Sequence, residues 1–286
     1  MIEHEINGMH YDEERALYNL QDTRVKNCVF AGPADGESAL KEAGNIAVEG
    51  CSLSLRYPLW HVKQFTIADT VMDENARAAL WYSNDGVITN SKLNGIKAVR
   101  ECDRITIRNC EINSPEFGWK SRNVIVEDTT VNAEYLFFDS RDITLSHVKM
   151  SGKYSFQYIG NMTIEDSELD TKDAFWHSKN VTVKNSIVKG EYLGWYSDGL
   201  TLINCKIIGT QPLCYCKNLR LENCTMEQAD FAFEYSDVNA DISGSVISIK
   251  NPKSGTITVD HVDEIIREDA VMDCTEQVRV REVQRV

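Results

Sequence analysis

A pattern that returns every nineteen residues constrains this chain more than any other feature. Residues 105–112 read ITIRNCEI and residues 200–207 read LTLINCKI. Anchored on the cysteine of the first, Ser91, Cys110, Thr129, Val148, Ser167, Ser186, Cys205 and Cys224 follow at equal steps of 19. Steps of 17 to 23 extend the series back to Cys28, Cys51 and Thr70 and on to Ser245 and Val262. Self-similarity at a fixed period means one supersecondary unit stacked on copies of itself, with length changes confined to loops.

Inside each repeat the letters alternate. Ile105 and Ile107, then Cys110 and Ile112, are apolar or small, and Thr106, Arg108 and Glu111 lie between them. Period two in short runs of Val, Ile and Thr is a strand signal. The phase slips once, at Asn109, and Asn27, Asp69, Asn90, Asp128, Asp166, Asn185, Asn204 and Asn223 hold the same position. Asn and Asp tolerate turn geometry, so this column predicts a tight bend whose amides can bond from coil to coil. A second such column contains Asn45, Asp85, Asn123, Asp142, Asn161, Asn180 and Asn218. Ahead of it FGWKS, LFFDS, FWHS and LGWYS predict a third short strand.

Three short strands and two bends per repeat, without helical periodicity, predict an all-β fold: a single-stranded right-handed parallel β-helix. A leucine-rich repeat would need its LxxLxLxxN line, and a left-handed hexapeptide helix a period divisible by six. At roughly 4.8 Å per coil, about thirteen coils would span on the order of 60 Å. The expected organisation is one domain over 1–286, with coils at 23–263. Residues 1–22 and 264–286 lack the repeat and are the expected caps, because an open end needs covering. The tail VRVREVQRV offers a second possibility, an edge strand that pairs with another copy and makes a homo-oligomer.

Composition narrows the partners. The net charge of −14 opposes nucleic acid and anionic membrane, and no apolar run approaches a membrane span. The first twenty residues show neither a basic n-region nor an apolar h-region, so a cytoplasmic location is expected. Nine cysteines without a CxxC pair suggest reduced thiols and no zinc site. With no phosphate-binding or dinucleotide motif, no cofactor is expected.

The coil length and the Asn bend resemble the pectin-lyase-like right-handed β-helix superfamily. GESALKEAGNI at 36–46, YPLW at 57–60 and ARAALWY at 76–82 more closely resemble the uncharacterised bacterial family DUF3737. The superfamily resemblance implies lyases, hydrolases or isomerases of polysaccharides as neighbours in fold. The family resemblance implies no catalytic residue.

Chemistry is expected where the columns vary. Nine residues before each anchor stand Glu42, His61, Tyr82, Glu101, Lys120, Asp139, Tyr158, His177, Tyr196 and Tyr215. Unpaired charges on successive coils cannot enter a dry core, so this column faces out. Strict alternation would also turn Leu59, Leu80, Phe137, Phe156 and Phe175 outward; a bulge would instead expose Trp81, Trp119, Trp176 and Trp195. Either arrangement gives an aromatic strip suited to a carbohydrate or sugar acid, or else an inert side-chain ladder on a scaffold. Glu101 and Asp139, two coils apart, are candidate general acid and base of a glycosidase. Lys120 between them is the alternative base for β-elimination from a uronate, with Arg122 and Arg141 placed for its carboxylate. His177, near Tyr158, is a further acid or base. The plain alternative for the charged trio is an exposed salt-bridge ladder. Cys214 and Cys216 share a strand face and are expected to be buried, with a reactive Cys214 thiol as the alternative. His147 and His261 are expected to make turn bonds rather than hold a metal.

Overall fold

Every Asn or Asp of the bend column has left-handed backbone, with φ between 48° for Asn185 and 53° for Asn204. His147 shares that geometry at 50° and lies 3.5 Å from Asp128. A short polar side chain tolerates this region best, which is why the column reads Asn or Asp. The side-chain amides bond along the stack: Asn223 donates to Asn204 at 2.9 Å and Asn204 to Asn185 at 3.1 Å. The second Asx column is left-handed too, and there Asn123 donates to Asp103 at 2.7 Å.

The structure, a computed structural model, describes residues 2–281. Two compact units divide the chain, Met1–Lys149 and Met150–Val286. Each is a parallel β-solenoid. In the first, six-residue strands at Lys63–Ala68, Asn84–Thr89, Asp103–Arg108 and Arg122–Glu127 pair in parallel, so that Ile105 lies between Gly86 and Val124. Beyond the bend, Lys92–Leu93, Glu111–Asn113 and Thr130–Glu134 build the next wall. In the second unit Gly160–Glu165, Lys179–Lys184 and Asp198–Ile203 repeat the six-residue wall, and the later strands lengthen to Asp237–Lys250 and Ser254–Ile266.

The third wall departs from the expected strand. Leu59–Trp60, Leu80–Trp81 and Val99–Arg100 form a small parallel sheet, whereas the later coils cross this wall as turns. The reason is local: Tyr135, Phe137 and Asp139 are all left-handed, as are Asp173, Phe175 and His177. Alternate left-handed residues cannot sustain a pleated strand. The ends also carry rungs. His4–Asn7 pairs with Thr23–Lys26 in register, and Gln277–Val280 pairs with Thr256–Val259. Within the expected cap segments, Met1 and 282–286 lie outside the described residues.

The anchor column is a hydrogen-bonding device as well as core. Leaving the bend, the backbone N–H of several anchors points at the next coil's anchor side chain instead of joining a ladder. Thr70 Oγ1 accepts from Cys51 N at 3.2 Å and Ser91 Oγ from Thr70 N at 3.1 Å. Thr129 Oγ1 does the same for Cys110 N, and Ser186 Oγ for Ser167 N. A buried donor without an acceptor is costly, so these coils place a small side chain bearing oxygen or sulfur here, whereas the anchor Val148 bears neither. A parallel column repeats the device, with Ser121 accepting from Cys102 and Ser140 from Ser121, both at 3.2 Å. The expected continuation of the anchors fails at Ser245, which is exposed: the register shifts after Ile242, and Val246 takes the inward place.

Candidate functional site

Leu59, Leu80, Phe137, Phe156, Phe175 and Leu213 are all buried, so the Trp column turns outward, the second of the two arrangements considered from sequence. The cause is a left-handed residue in every coil of the titratable column, from Glu101 at φ 51° to Glu42 at 62°. That twist brings two successive side chains, such as Trp81 and Tyr82, to the outer wall. Gly118 fits the buried column because a Cβ there would lie 2.3 Å from the ring of Phe137, which fills its space.

In the first unit the wall is tied together by charge and by rings. Trp60 and Trp81 stack at 5.2 Å, Arg100 lies over Trp81 at 5.1 Å, and Trp119 meets Phe138 at 5.2 Å. His61 Nδ1 is 2.9 Å from Glu42 and its ring meets Tyr82 edge-on. Glu101 pairs with Arg100 at 3.0 Å, and the Tyr82 hydroxyl and the Trp81 indole lie beside its carboxylate. Burial raises its carboxyl, but these neighbours outweigh burial and hold it below the usual value. Lys120 and Asp139 are exposed and, among the described residues, form no ion pair with each other or with Glu101. The expected charged trio is therefore not assembled: Glu101 has turned to its own neighbour, one residue away. Arg122 and Arg141 stand side by side on paired strands and are exposed.

In the second unit the wall is one continuous stack. Tyr158 and His177 lie 5.0 Å apart, His177 and Tyr196 5.0 Å, and Tyr196 and Tyr215 4.9 Å, with planes within 12° of parallel. Beside them Trp176 and Trp195 stack at 5.4 Å, and their indoles donate to the carbonyls of Tyr192 and Gln211. Tyr158 is 49% exposed and Tyr196 47%, so the stack is open to solvent. At its end Tyr215 donates to Glu234, which also holds Lys250 at 2.9 Å. Burial and then the Glu234 bond raise the Tyr215 hydroxyl. Glu234, Trp60 and Arg100 were not singled out from sequence; Trp60 and Arg100 occupy the same column as Trp81 and Trp119, which was the available signal.

Cys214 and Cys216 are buried, and burial raises both thiols, so the reactive-thiol alternative lacks a thiolate. His261 bonds Asp263 at 2.9 Å. Among the described residues no cluster of three His, Cys, Asp or Glu side chains could hold a metal ion, and no helix is long and apolar enough to cross a membrane.

Coil, bend and wall define each unit as a parallel β-solenoid with an aromatic outer wall. The chain belongs to the family described as protein of unknown function (DUF3737), whose model matches residues 4–279. No curated protein matches it. Among solved structures it is similar to HetL, a pentapeptide repeat protein of the cyanobacterium Nostoc, at 10% identity over 80% of this chain and 89% of that one, with a TM-score of 0.24. The A-modules of two mannuronan C-5 epimerases of Azotobacter vinelandii are also similar, each at 9% identity. AlgE4 covers 97% of this chain and 87% of its own with a TM-score of 0.28, and AlgE6 covers 96% and 87% with 0.36. Superpositions this loose carry no argument about activity.

Proposed function

We propose that the protein binds an extended carbohydrate lengthwise along its outer wall and carries out no chemistry on it. The observation behind this reading is the row Tyr158, His177, Tyr196 and Tyr215, one polar-edged ring per coil at 4.9 to 5.0 Å spacing on an open face. A linear polymer with a similar repeat meets the same group at each step. Its hydroxyls would bond to ring edges, because the ring faces are occupied by one another. Catalysis is set aside because the candidate groups do not converge: Glu101 is bound to Arg100 at 3.0 Å, and among the described residues Lys120 and Asp139 form no ion pair with it or with each other.

The stack itself supports a second reading. Rings that cover one another's faces already have a structural reason to be there, and a non-catalytic scaffold needs nothing more from them. Thermal shift with neutral and uronate oligosaccharides of increasing length separates the two. Carbohydrate binding requires a melting temperature that rises with oligomer length, and a smaller rise in Tyr196→Phe, which keeps the stack and loses one hydroxyl. If no oligosaccharide stabilises the parent, the scaffold reading stands.

A further inference from the structure

The outer wall of the second unit has one place where its aromatic columns break. Tyr154, Asp173 and Tyr192 hold equivalent positions on three successive coils, each left-handed, at φ 60°, 53° and 56°. Each donates its backbone N–H to the coil that follows, to the carbonyls of Lys172 at 2.9 Å, Glu191 at 2.8 Å and Thr210 at 3.1 Å. An acid therefore stands between two tyrosines. The indole column breaks beside it, where Gln157 takes the place of a Trp and donates to the Asp173 carbonyl at 3.0 Å. Trp176 and Trp195 then resume the column, and Tyr192 meets Trp195 edge-on at 5.3 Å. By that repeat, Asp173 occupies the place from which a Tyr would meet Trp176.

Asp173 is 8% exposed, and among the described residues its carboxylate accepts no hydrogen bond and forms no ion pair. Glu276, the other buried acid among the described residues, is bonded to Arg267. Burial raises the Asp173 carboxyl, Lys172 beside it in the chain lowers it, and Glu191 on the next coil raises it again. Lys172 and Glu191 are both exposed, and among the described residues Lys172 forms no ion pair with either acid. A buried carboxylate without a partner is costly, so one that persists on an otherwise aromatic wall points to a ligand.

We propose that Asp173 anchors a binding site for an ammonium group, that of an amino sugar or of a lysine-like amine, in the gap between Tyr154 and Tyr192 beside Trp176. An ammonium supplies the missing positive charge and three donors. One donor suits the Asp173 carboxylate and another the Gln157 side-chain oxygen, which has no partner among the described residues. Aromatic rings attract a cation further, and Glu191 adds a second negative charge. The site does not rest on the carbohydrate reading of the Tyr158 to Tyr215 row, which neutral and uronate oligomers test separately.

Isothermal titration of the full chain at low ionic strength tests it, with glucosamine and cadaverine as separate probes and N-acetylglucosamine as the uncharged control. Saturable binding is expected for at least one amine. Glucosamine alone identifies an amino-sugar site; cadaverine, alone or with glucosamine, identifies a site for amines at large. Asp173→Asn should weaken binding about tenfold or more. The same variant should melt at or above the parent near neutral pH, because a raised carboxyl destabilises the fold above its folded value and ceases to do so below its unfolded one. Asp173→Tyr, which continues the tyrosine column, should also fold and lose binding. Asp128→Asn in the first unit should bind like the parent. Four results overturn the proposal: no saturable binding of either amine, equal affinity for N-acetylglucosamine, undiminished affinity in Asp173→Asn, or an Asp173→Asn variant that melts below the parent, which would reveal a partner inside the protein.

Discussion

Thr129 Oγ1 accepts the backbone N–H of Cys110, one coil earlier, at 3.2 Å and gives its own hydrogen to the Glu127 carbonyl at 2.7 Å. Thr129→Val keeps the shape and removes both bonds, leaving a buried donor unsatisfied. The expected loss is roughly 1 to 3 kcal/mol in urea unfolding, with Thr129→Ser nearly neutral. Equal stability of the Val variant and the parent would show that the column is there only to fill space.

Asn204 sits at φ 53° and bonds both Asn185 and Asn223. Asn204→Ala should cost about 1 to 2 kcal/mol from backbone conformation alone, plus the lost amide bonds. Asn204→Gly recovers the backbone part and not the amide part, so it should fall between Ala and the parent. A Gly variant less stable than Ala would refute this division.

Glu101 sets a pH signature. Its carboxyl lies below its ordinary value of 4.5 in the folded protein, because burial is outweighed by the neighbouring Tyr82 hydroxyl, the paired Arg100 and the Trp81 indole. A depressed carboxylate stabilises fully above its unfolded value and loses that contribution as pH falls through the folded one. Glu101→Gln should therefore melt about 2 °C below the parent near neutral pH, for roughly 1 kcal/mol. The gap should close in acid, below the ordinary value; a gap that widens there contradicts the assignment.

Thiol labelling reads the core. Eight of the nine cysteines are buried and Cys274 is partly exposed. Burial pushes Cys102 up to about 12 and Cys51 to about 11, and although Cys205 is lowered by its bond with Cys224, it is only 2% exposed. A native-state reagent should modify Cys274 quickly and the rest only on unfolding. Fast labelling of Cys214 would revive its reactive alternative.

The period was enough to specify the solenoid, because Ile105, Ile107 and Cys110 must face inward in every coil and only parallel stacking keeps them there. The site was less legible. Charge alone turned the titratable column outward, yet whether the Leu and Phe column or the Trp column joined it depended on left-handed residues such as Phe137 and Phe175, to which no propensity points. Glu101 looked like a partner of Lys120 along the stack and instead bonded Arg100 beside it. Arg77 escaped notice because it, Tyr57 and the neighbouring Lys97 and Arg100 come from three successive turns and line one cavity only when these are stacked.

By itself, then, the sequence determined the repeat, the two bends and the buried small-residue column, since these are local rules of backbone geometry applied once per coil. Only the tertiary structure decided that the third wall is mostly turns, that the rings cover one another's faces, and that Glu101 pairs with Arg100. Those outcomes depend on how one coil's side chains meet the next coil's backbone, a contact that residue spacing does not encode.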